Sequence, residues 1–388
     1  MRVLLVSQFL VGGGLERMVH TLGKSLVRDF GCKVFFFSFD GENDLQTRQD
    51  LEEAGVTTVH SLKSRGFSLK TALEIKRLIQ AAKIDVVHTH ETAPLMYSTI
   101  ARALCGRHVG LVHTQHSFVH LQTRAFLRHY DRNFQRAAHF VTAVSQQLVD
   151  EYTRLGVSTK RIILVPNGVE FSDSRKSRAE LISQTRQSNV SVETAAALRE
   201  GIEKIWLISM ARLNPGKGQD HLIRLWAALP SKFRERCLLI LAGPETFANE
   251  RARLESLIQA GPNADQIVFT GRITSPLSWL SASDVFLSGS DYEGMPLAPI
   301  EACGAGLPLL LSNIDGHQVL ARHAKMFNLN NSNDGAARLV ELVNERDNDA
   351  ASFAAARKAA VEEMRAHYGI TKMAATYFDL YQKSSKKN

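Results

Sequence analysis

The sequence predicts an α/β protein built from two doubly wound parallel sheets in tandem. Three observations carry this. Short apolar runs alternate with stretches of helical periodicity from the first residue onward. The alternation breaks after Pro166-Asn167-Gly168 and restarts near residue 205. A chain of 388 residues has room for two domains at roughly 100–200 residues each.

In the first half, residues 2–7, 33–38, 85–89, 109–114 and 140–144 read as buried strands. They are Val/Leu/Phe-rich and bounded by polar residues or glycine. Residues 15–29, 69–82 and 94–105 between them carry the helical period. From 171 to 200 the chain turns polar, rich in Ser, Arg, Gln and Thr, and reads as a linker or helical insertion. The second half repeats the pattern over 201–370, with strands at 205–210, 238–242, 267–270, 284–287 and 308–312. Helices at 218–229 and 299–304 lie among them, and amphipathic runs at 351–367 and 371–382 close the chain. Ligands of doubly wound sheets bind outside the strand C-terminal ends, so two such units predict a site in the cleft they share.

Composition narrows the partners. The net charge is +8, and residues 1–168 hold 21 Lys and Arg against 14 Asp and Glu. Arg124, Arg128, Arg132 and Arg136 recur every four residues and would form one stripe on a helix. Such a stripe fits a solvated face, or an anionic bilayer or acceptor worth about 1 kcal/mol per charge. No helix-turn-helix, finger or RNP pattern accompanies it, which argues against nucleic acid. Cys32, Cys105, Cys237 and Cys303 are scattered, with no zinc-ligand spacing, and read as reduced thiols of a cytoplasmic protein. The opening apolar run is too short for a signal peptide, and no stretch approaches the roughly 20 apolar residues of a membrane span, so membrane contact would be peripheral.

Three local patterns carry chemistry. Gly12-Gly13-Gly14 falls between the first strand and the first helix, where bare backbone and a helix N-terminus suit a diphosphate. The spacing is not G-x-G-x-x-G, and Asp40 is a poor ribose partner, which disfavours a nicotinamide dehydrogenase. Arg212 and Lys217 flank a Pro/Gly loop just past the first strand of the second half. Two cations held there can neutralise a diphosphate and stabilise it as it leaves. The spacing is not that of a P-loop. Glu293 and Glu301 straddle a strand-turn-helix, Glu293 in the turn and Glu301 in the helix.

Together these residues resemble glycosyltransferase family 4, retaining enzymes of GT-B architecture with two Rossmann-like doubly wound domains. Gly13-Gly14-Leu15-Glu16 is similar to the family's glycine turn. Val86-Val87-His88-Thr89-His90 and His113-Thr114-Gln115-His116 are similar to its strand ends. Val165-Pro166-Asn167-Gly168-Val169 is similar to its interdomain segment, Arg212 and Lys217 to its phosphate-binding pair, and Ala242-Gly243 to its next strand end. Glu293 and Glu301 are similar to its E-x7-E element.

The resemblance implies an N-terminal acceptor domain over 1–170, a nucleotide-sugar domain over 201–370, and a C-terminal helix over 371–388 that returns to the first domain. It implies that Arg212 and Lys217 hold the donor diphosphate and that Glu301 binds the ribose. The turn Gly294-Met295-Pro296-Leu297 would face the phosphate and sugar with its backbone N–H groups, proline excepted, and Glu293 would contact the sugar. Gly13 and Gly14 would approach the phosphate, His116 a sugar hydroxyl, and Arg272-Ile273 the base, with Gly243 nearby. No metal or other cofactor is implied. The implied reaction moves a sugar, most simply from a UDP-sugar, to a glycan or lipid-linked acceptor in surface-polysaccharide or lipopolysaccharide synthesis.

A nucleotide-sugar epimerase of the same architecture, or a binding protein with weak catalysis, remains an alternative. His88, His90 and His113 read as hydrogen-bonded structural groups. The chain departs from the family at Met295, where Phe is common, and at Asp315-Gly316-His317-Gln318, where Gly-Gly-x-x-Glu is usual.

Overall fold

The computed structural model describes all residues except 12, 64–65, 117–132, 155, 157, 159, 172–175, 186–189, 274 and 387–388. The chain divides into two compact units, residues 1–170 with 368–388, and residues 171–367.

Unit 1 contains β1 (Arg2–Val6), α1 (Gly14–Phe30), β2 (Lys33–Ser38), α2 (Leu45–Glu53), β3 (Val56–His60) and α3 (Leu69–Ala81). It continues with β4 (Val86–His90), α4 (Thr92–Ala103), β5 (Gly110–Gln115), β6 (Phe140–Ala143), α5 (Gln146–Arg154) and β7 (Ile162–Leu164). The strands form one sheet in the order β3-β2-β1-β4-β5-β6-β7, all parallel. Parallel sheets are covered on both faces, so their central strands are apolar throughout. Val3, Leu4, Leu5 and Val6 of β1 are accordingly fully buried. α1 buries Met18, Val19, Leu22 and Leu26, spaced three and four apart, and ends where Gly31 adopts a left-handed φ.

Unit 2 contains α6 (Arg178–Thr185), α7 (Val192–Glu200), β8 (Ile205–Met210), α8 (Gln219–Ala228), α9 (Ser231–Arg234), β9 (Cys237–Ala242), α10 (Glu250–Gln259) and β10 (Ile267–Gly271). α11 (Pro276–Ala282), β11 (Val285–Ser288), α12 (Leu297–Gly304), β12 (Leu309–Ser312), β13 (Ala324–Phe327) and α13 (Ser332–Asn348) follow. The order is β10-β9-β8-β11-β12-β13, again all parallel. Read from each unit's first strand, both sheets run 3-2-1-4-5-6, and unit 1 adds a seventh strand beyond the sixth. Each therefore reverses winding direction beside its first strand, at β1/β4 and at β8/β11. Such switch points open the crevice in which ligands of these folds bind.

The described parts of the polar stretch, 176–185 and 190–200, are anchored in unit 2. Arg178 donates to the carbonyls of Ala282, Ile202 and Lys204 and pairs with Asp284, while its guanidinium lies over the Trp206 ring. Thr194 of α7 donates its hydroxyl to the Phe269 carbonyl at 3.0 Å. Its polar composition reflects helices that lie on the outside of a sheet.

α14 (Ala350–Tyr368) ends where unit 1 resumes, and α15 (Ile370–Ser385) packs against α1, β4 and β5. The return is stitched by Val169 N–H to Tyr368 O at 2.8 Å and Ile370 N–H to Val169 O at 3.0 Å. Ten of the thirteen strands match the apolar runs in the sequence. The other three, β3, β7 and β13, are sheet edges with partly exposed side chains. All four cysteines are free and buried, and burial pushes the Cys237 thiol up to about 12 and that of Cys303 to about 11. Among the described residues no helix is long and apolar enough to cross a membrane.

Candidate functional site

In unit 2 the site residues lie at the C-terminal ends of β8, β9, β10 and β11, because a doubly wound sheet delivers every loop on that side to one edge. The loop after β8 carries Arg212 and Lys217 and ends at Gly218, the N-cap of α8, with φ +70°. The loop after β11 carries Gly289 and Glu293. A side chain on Gly218 would overlap the Gly289 carbonyl, so the two loops of the switch point touch backbone to backbone. That closeness brings Lys217 Nζ to 2.9 Å from Glu293 Oε1 across 76 residues of sequence. Both side chains are about four-fifths buried, with exposures of 23% and 18%. Ser290 donates its hydroxyl to the same carboxylate oxygen at 2.9 Å.

The other sequence-predicted residues surround this pair at varied depth. Arg212 is exposed. Its carbonyl accepts from Gln219 Nε2 at 3.0 Å, and the Ala211 backbone before it lies against Gly243. Gly243 N–H in turn donates to Gly271 O at 3.0 Å, which places the exposed Arg272 and half-buried Ile273 on the next loop. Gly294, Met295 and Leu297 are half-buried, and Pro296 caps α12. Glu301 lies in the second turn of α12 and is 6% exposed. Gly316, in the 3₁₀ turn Asp315–Leu320, lets its loop lie on Glu293, since a Cβ there would stand 2.7 Å from Glu293 Cβ. Gly289 and Ser290 carry no pattern in the sequence, and His317 stands out there only as part of the departure at Asp315-Gly316-His317-Gln318. Their small or generic side chains gain meaning only from the loops they press against.

Unit 1 assembles its own set at the β1/β4 switch point and on β5. Gly13 caps α1, and its N–H donates to Glu16 Oε2 at 2.6 Å. The carboxylate of the chain's own capping residue thus occupies one amide of the predicted anion-facing turn. Gly14 opens the helix behind it.

His116 stacks on His90 with ring centroids 5.4 Å apart, and His90 Nδ1 lies 3.2 Å from His116 Nε2. Glu91, between β4 and α4, has φ +72°, a left-handed conformation that costs a non-glycine residue about 1–3 kcal/mol. It receives Gln115 Nε2 at 2.8 Å and the His116 N–H at 3.2 Å, so this strained residue grips the segment that presents His116. Glu91 is absent from the sequence-based set because a lone Glu at a strand end carries no pattern.

His88 is structural: its Nδ1 lies 2.6 Å from Tyr381 Oη and its Nε2 2.7 Å from Thr114 Oγ1. His113 Nδ1 lies 3.0 Å from Thr89 Oγ1. Among the described residues no three such side chains are arranged as metal ligands. Arg124, Arg128 and Arg132 of the basic stripe lie outside the described residues.

Burial holds this histidine cluster neutral. It pushes His116 down to about 3 and His113 to about 4, and holds His88 and His90 well below the usual value of 6.5. Neighbouring imidazoles add charge repulsion at all of these except His113. A folded value below the unfolded one means that only the unfolded chain takes up protons between about pH 6.5 and 4. Stability is therefore complete above pH 6.5 and falls as pH drops, by up to about 1.4 kcal/mol per pH unit for each histidine. Thermal unfolding at half-unit steps from pH 7.5 to 4.5 should show Tm declining steadily below pH 6.5; a flat profile would contradict the buried neutral cluster.

Residues 12–173 match the family model for Glycosyltransferase Family 4, and residues 193–359 match that for Glycosyl transferases group 1. Among curated relatives, N-acetyl-alpha-D-glucosaminyl L-malate synthase of Bacillus anthracis is 22% identical over 320 residues, covering 81% of this chain and 80% of that one. The UDP-Gal:alpha-D-GlcNAc-diphosphoundecaprenol alpha-1,3-galactosyltransferase of Escherichia coli is 24% identical over 267 residues, 66% of this chain and 64% of its own length. Among solved structures, HepE of Anabaena, in complex with UDP and glucose, superposes with a TM-score of 0.79 at 19% identity. It covers 99% of this chain and 100% of its own.

Proposed function

The chain belongs to the group 1 glycosyl transferases, with a family 4 N-terminal unit, and from that premise we propose that it is a retaining hexosyltransferase using a UDP-sugar donor. The acceptor in this reading is a glycan or a lipid-linked sugar of surface-polysaccharide or lipopolysaccharide assembly. The observation that carries the reading is the Lys217–Glu293 pair, built where the two switch-point loops of unit 2 touch. The galactosyltransferase relative, whose donor is UDP-Gal and whose acceptor is a diphosphoundecaprenol-linked sugar, and the UDP-bound HepE support the choice of donor and acceptor class.

In this mechanism Lys217 and Arg212 take the donor diphosphate, a role in which fixed cations stabilise charge as it grows on the leaving group. The carboxylate of Glu293 holds the Lys217 ammonium in place until a phosphate competes for it. Glu293 then faces the sugar, and Glu301, deep in α12, binds the ribose hydroxyls. Backbone N–H groups of Gly294, Met295 and Leu297, at the start of α12, face the phosphate and sugar, and Pro296 between them has none to give. The acceptor hydroxyl attacks from the face the diphosphate leaves and passes its proton to that phosphate, so the anomeric configuration is kept. In unit 1, neutral His116, held by His90 and by the Glu91 grip on its backbone, hydrogen-bonds a sugar hydroxyl. No metal takes part in this scheme. Contact with anionic membrane through basic unit 1 is part of the same proposal.

The test is a thermal-shift screen with UDP-, GDP- and ADP-sugars, followed by product analysis with the best donor. A ligand at 100 times its Kd stabilises by about 2.7 kcal/mol, readily seen as a rise in Tm. UDP-sugars should give the largest rise, activity should survive EDTA, and the product glycoside should keep the donor's anomeric configuration by NMR. Conversion of the donor without acceptor into an epimer would instead identify an epimerase. Binding without turnover over a broad acceptor panel would identify a binding protein.

A further inference from the structure

Beneath the Lys217–Glu293 pair lies a buried polar cluster that the scheme above leaves unused. His317 and Ser312 are fully buried, Ser290 is 1% exposed and Ser288 is 7% exposed. The protons along the route from His317 to Glu293 can be placed. His317 Nδ1 is 2.9 Å from the Ser312 carbonyl, which can only accept, so Nδ1 carries the hydrogen and Nε2 is bare. Nε2 then faces Ser288 Oγ at 3.4 Å, whose single hydrogen has this nitrogen and Ser290 Oγ, also at 3.4 Å, as competing acceptors. Nδ1 also lies 3.2 Å from Ser312 Oγ, whose own hydrogen goes to the Ser290 carbonyl at 2.7 Å. The Ser290 hydroxyl goes to Glu293. The chain of contacts thus runs His317, Ser312, Ser290, Glu293, Lys217. Gly316, beside His317, presses on the Glu293 backbone by a second route.

We propose that His317 is a positioning residue for the donor site, holding the Glu293 carboxylate in place through Ser312 and Ser290. The inference rests on the reading of Glu293 as a sugar-facing residue. A leucine would fill the same space without the cost of burying an imidazole, so packing alone does not call for histidine here. What the imidazole adds is direction: one fixed donor aimed at Ser312, in a buried polar network that leads to Glu293. Burial lowers the His317 pKa, Lys217 lowers it further, and the Ser312 carbonyl and Glu293 raise it; the net effect is downward, which keeps the ring neutral, while the Ser312 carbonyl selects its tautomer.

The experiment compares His317→Leu, His317→Asn, Ser312→Ala and Glu293→Gln in the full-length protein. The substrate is the sugar nucleotide that the wild type turns over in the donor screen, and its nucleoside diphosphate is the binding probe. Asparagine can place its amide near the position of Nδ1 and keep the bond to Ser312. His317→Leu should lower kcat by about 10-fold to 100-fold, the scale of a small misplacement of a reacting group, with diphosphate affinity within about threefold of wild type. His317→Asn should recover most of kcat, and Ser312→Ala should lose it as His317→Leu does.

Unchanged kcat in His317→Leu overturns the inference. So does equal loss in Leu and Asn variants, or a collapse of diphosphate affinity together with kcat, either of which marks a packing role. If His317→Leu does not fold, Ser312→Ala decides alone, since it cuts the link between His317 and the Ser290 carbonyl: lost kcat supports the inference and retained kcat overturns it. Full activity in Glu293→Gln removes the reading of the site itself, an outcome distinct from an active His317→Leu beside an inactive Glu293→Gln.

Discussion

Lys217→Ala is expected to lower kcat by roughly 10²–10³-fold, about 3–4 kcal/mol of transition-state stabilisation, the scale for losing one donor to a developing oxyanion. The physical case rests on where the ammonium sits. It ends the loop after β8, one residue before the N-cap of α8, whose helix end adds partial positive charge in the same direction. Only 23% of the side chain is exposed, so its field is less screened than that of a surface lysine. Its partner Glu293 holds it there without help from a ligand, so little reorganisation is needed when a diphosphate arrives. Arg212→Ala should act in the same direction, since a second cation shares the leaving group's charge. Single-turnover kinetics with saturating donor separates this loss from weaker binding. Wild-type kcat in Lys217→Ala would remove the site assignment.

Ending the chain after Tyr368 should abolish the fold of unit 1. α15 buries Ile370, Met373, Ala374, Tyr377, Leu380 and Tyr381 against α1 and the sheet. At about 1.5–3 kcal/mol for each large side chain, their loss sums to about 10 kcal/mol, comparable with the whole stability of a domain. The tyrosines add a polar lock: Tyr381 Oη meets His88 Nδ1, and Tyr377 Oη lies 3.0 Å from Thr114 Oγ1 and 3.3 Å from Thr142 Oγ1. The truncated protein should be insoluble or should lose protease resistance throughout residues 1–170. Tyr381→Phe is the milder form of the same experiment. It strips one partner from a buried imidazole and should cost about 1–3 kcal/mol, several degrees of Tm. A truncated chain with unchanged unfolding would show that the helix is dispensable.

How far the sequence could be read depended on the range of each signal. Central strands such as β1, β8 and β9 declare themselves because burial on both faces demands continuous apolar runs. The edge strands β3, β7 and β13, short and half-exposed, carry no such run and are missing from the sequence reading. Arg212, Lys217, Glu293 and Glu301 were legible because each sits in a short motif tied to a strand end. Glu91 and His317 were not, because nothing in their neighbours announces a strained φ or a buried imidazole.

The sequence by itself determined two doubly wound units, their winding, and the strand ends from which cations and carboxylates project, since all of these follow from patterns repeating over a few residues. Only the tertiary structure decided that Lys217 meets Glu293, that Glu16 claims the Gly13 amide, that His90 backs His116, and that Tyr381 closes on His88 across 293 residues. These are hydrogen bonds of definite length and direction between groups brought close by chain return. Local periodicity says which face a residue lies on, but carries no information about what another stretch of chain will place opposite it.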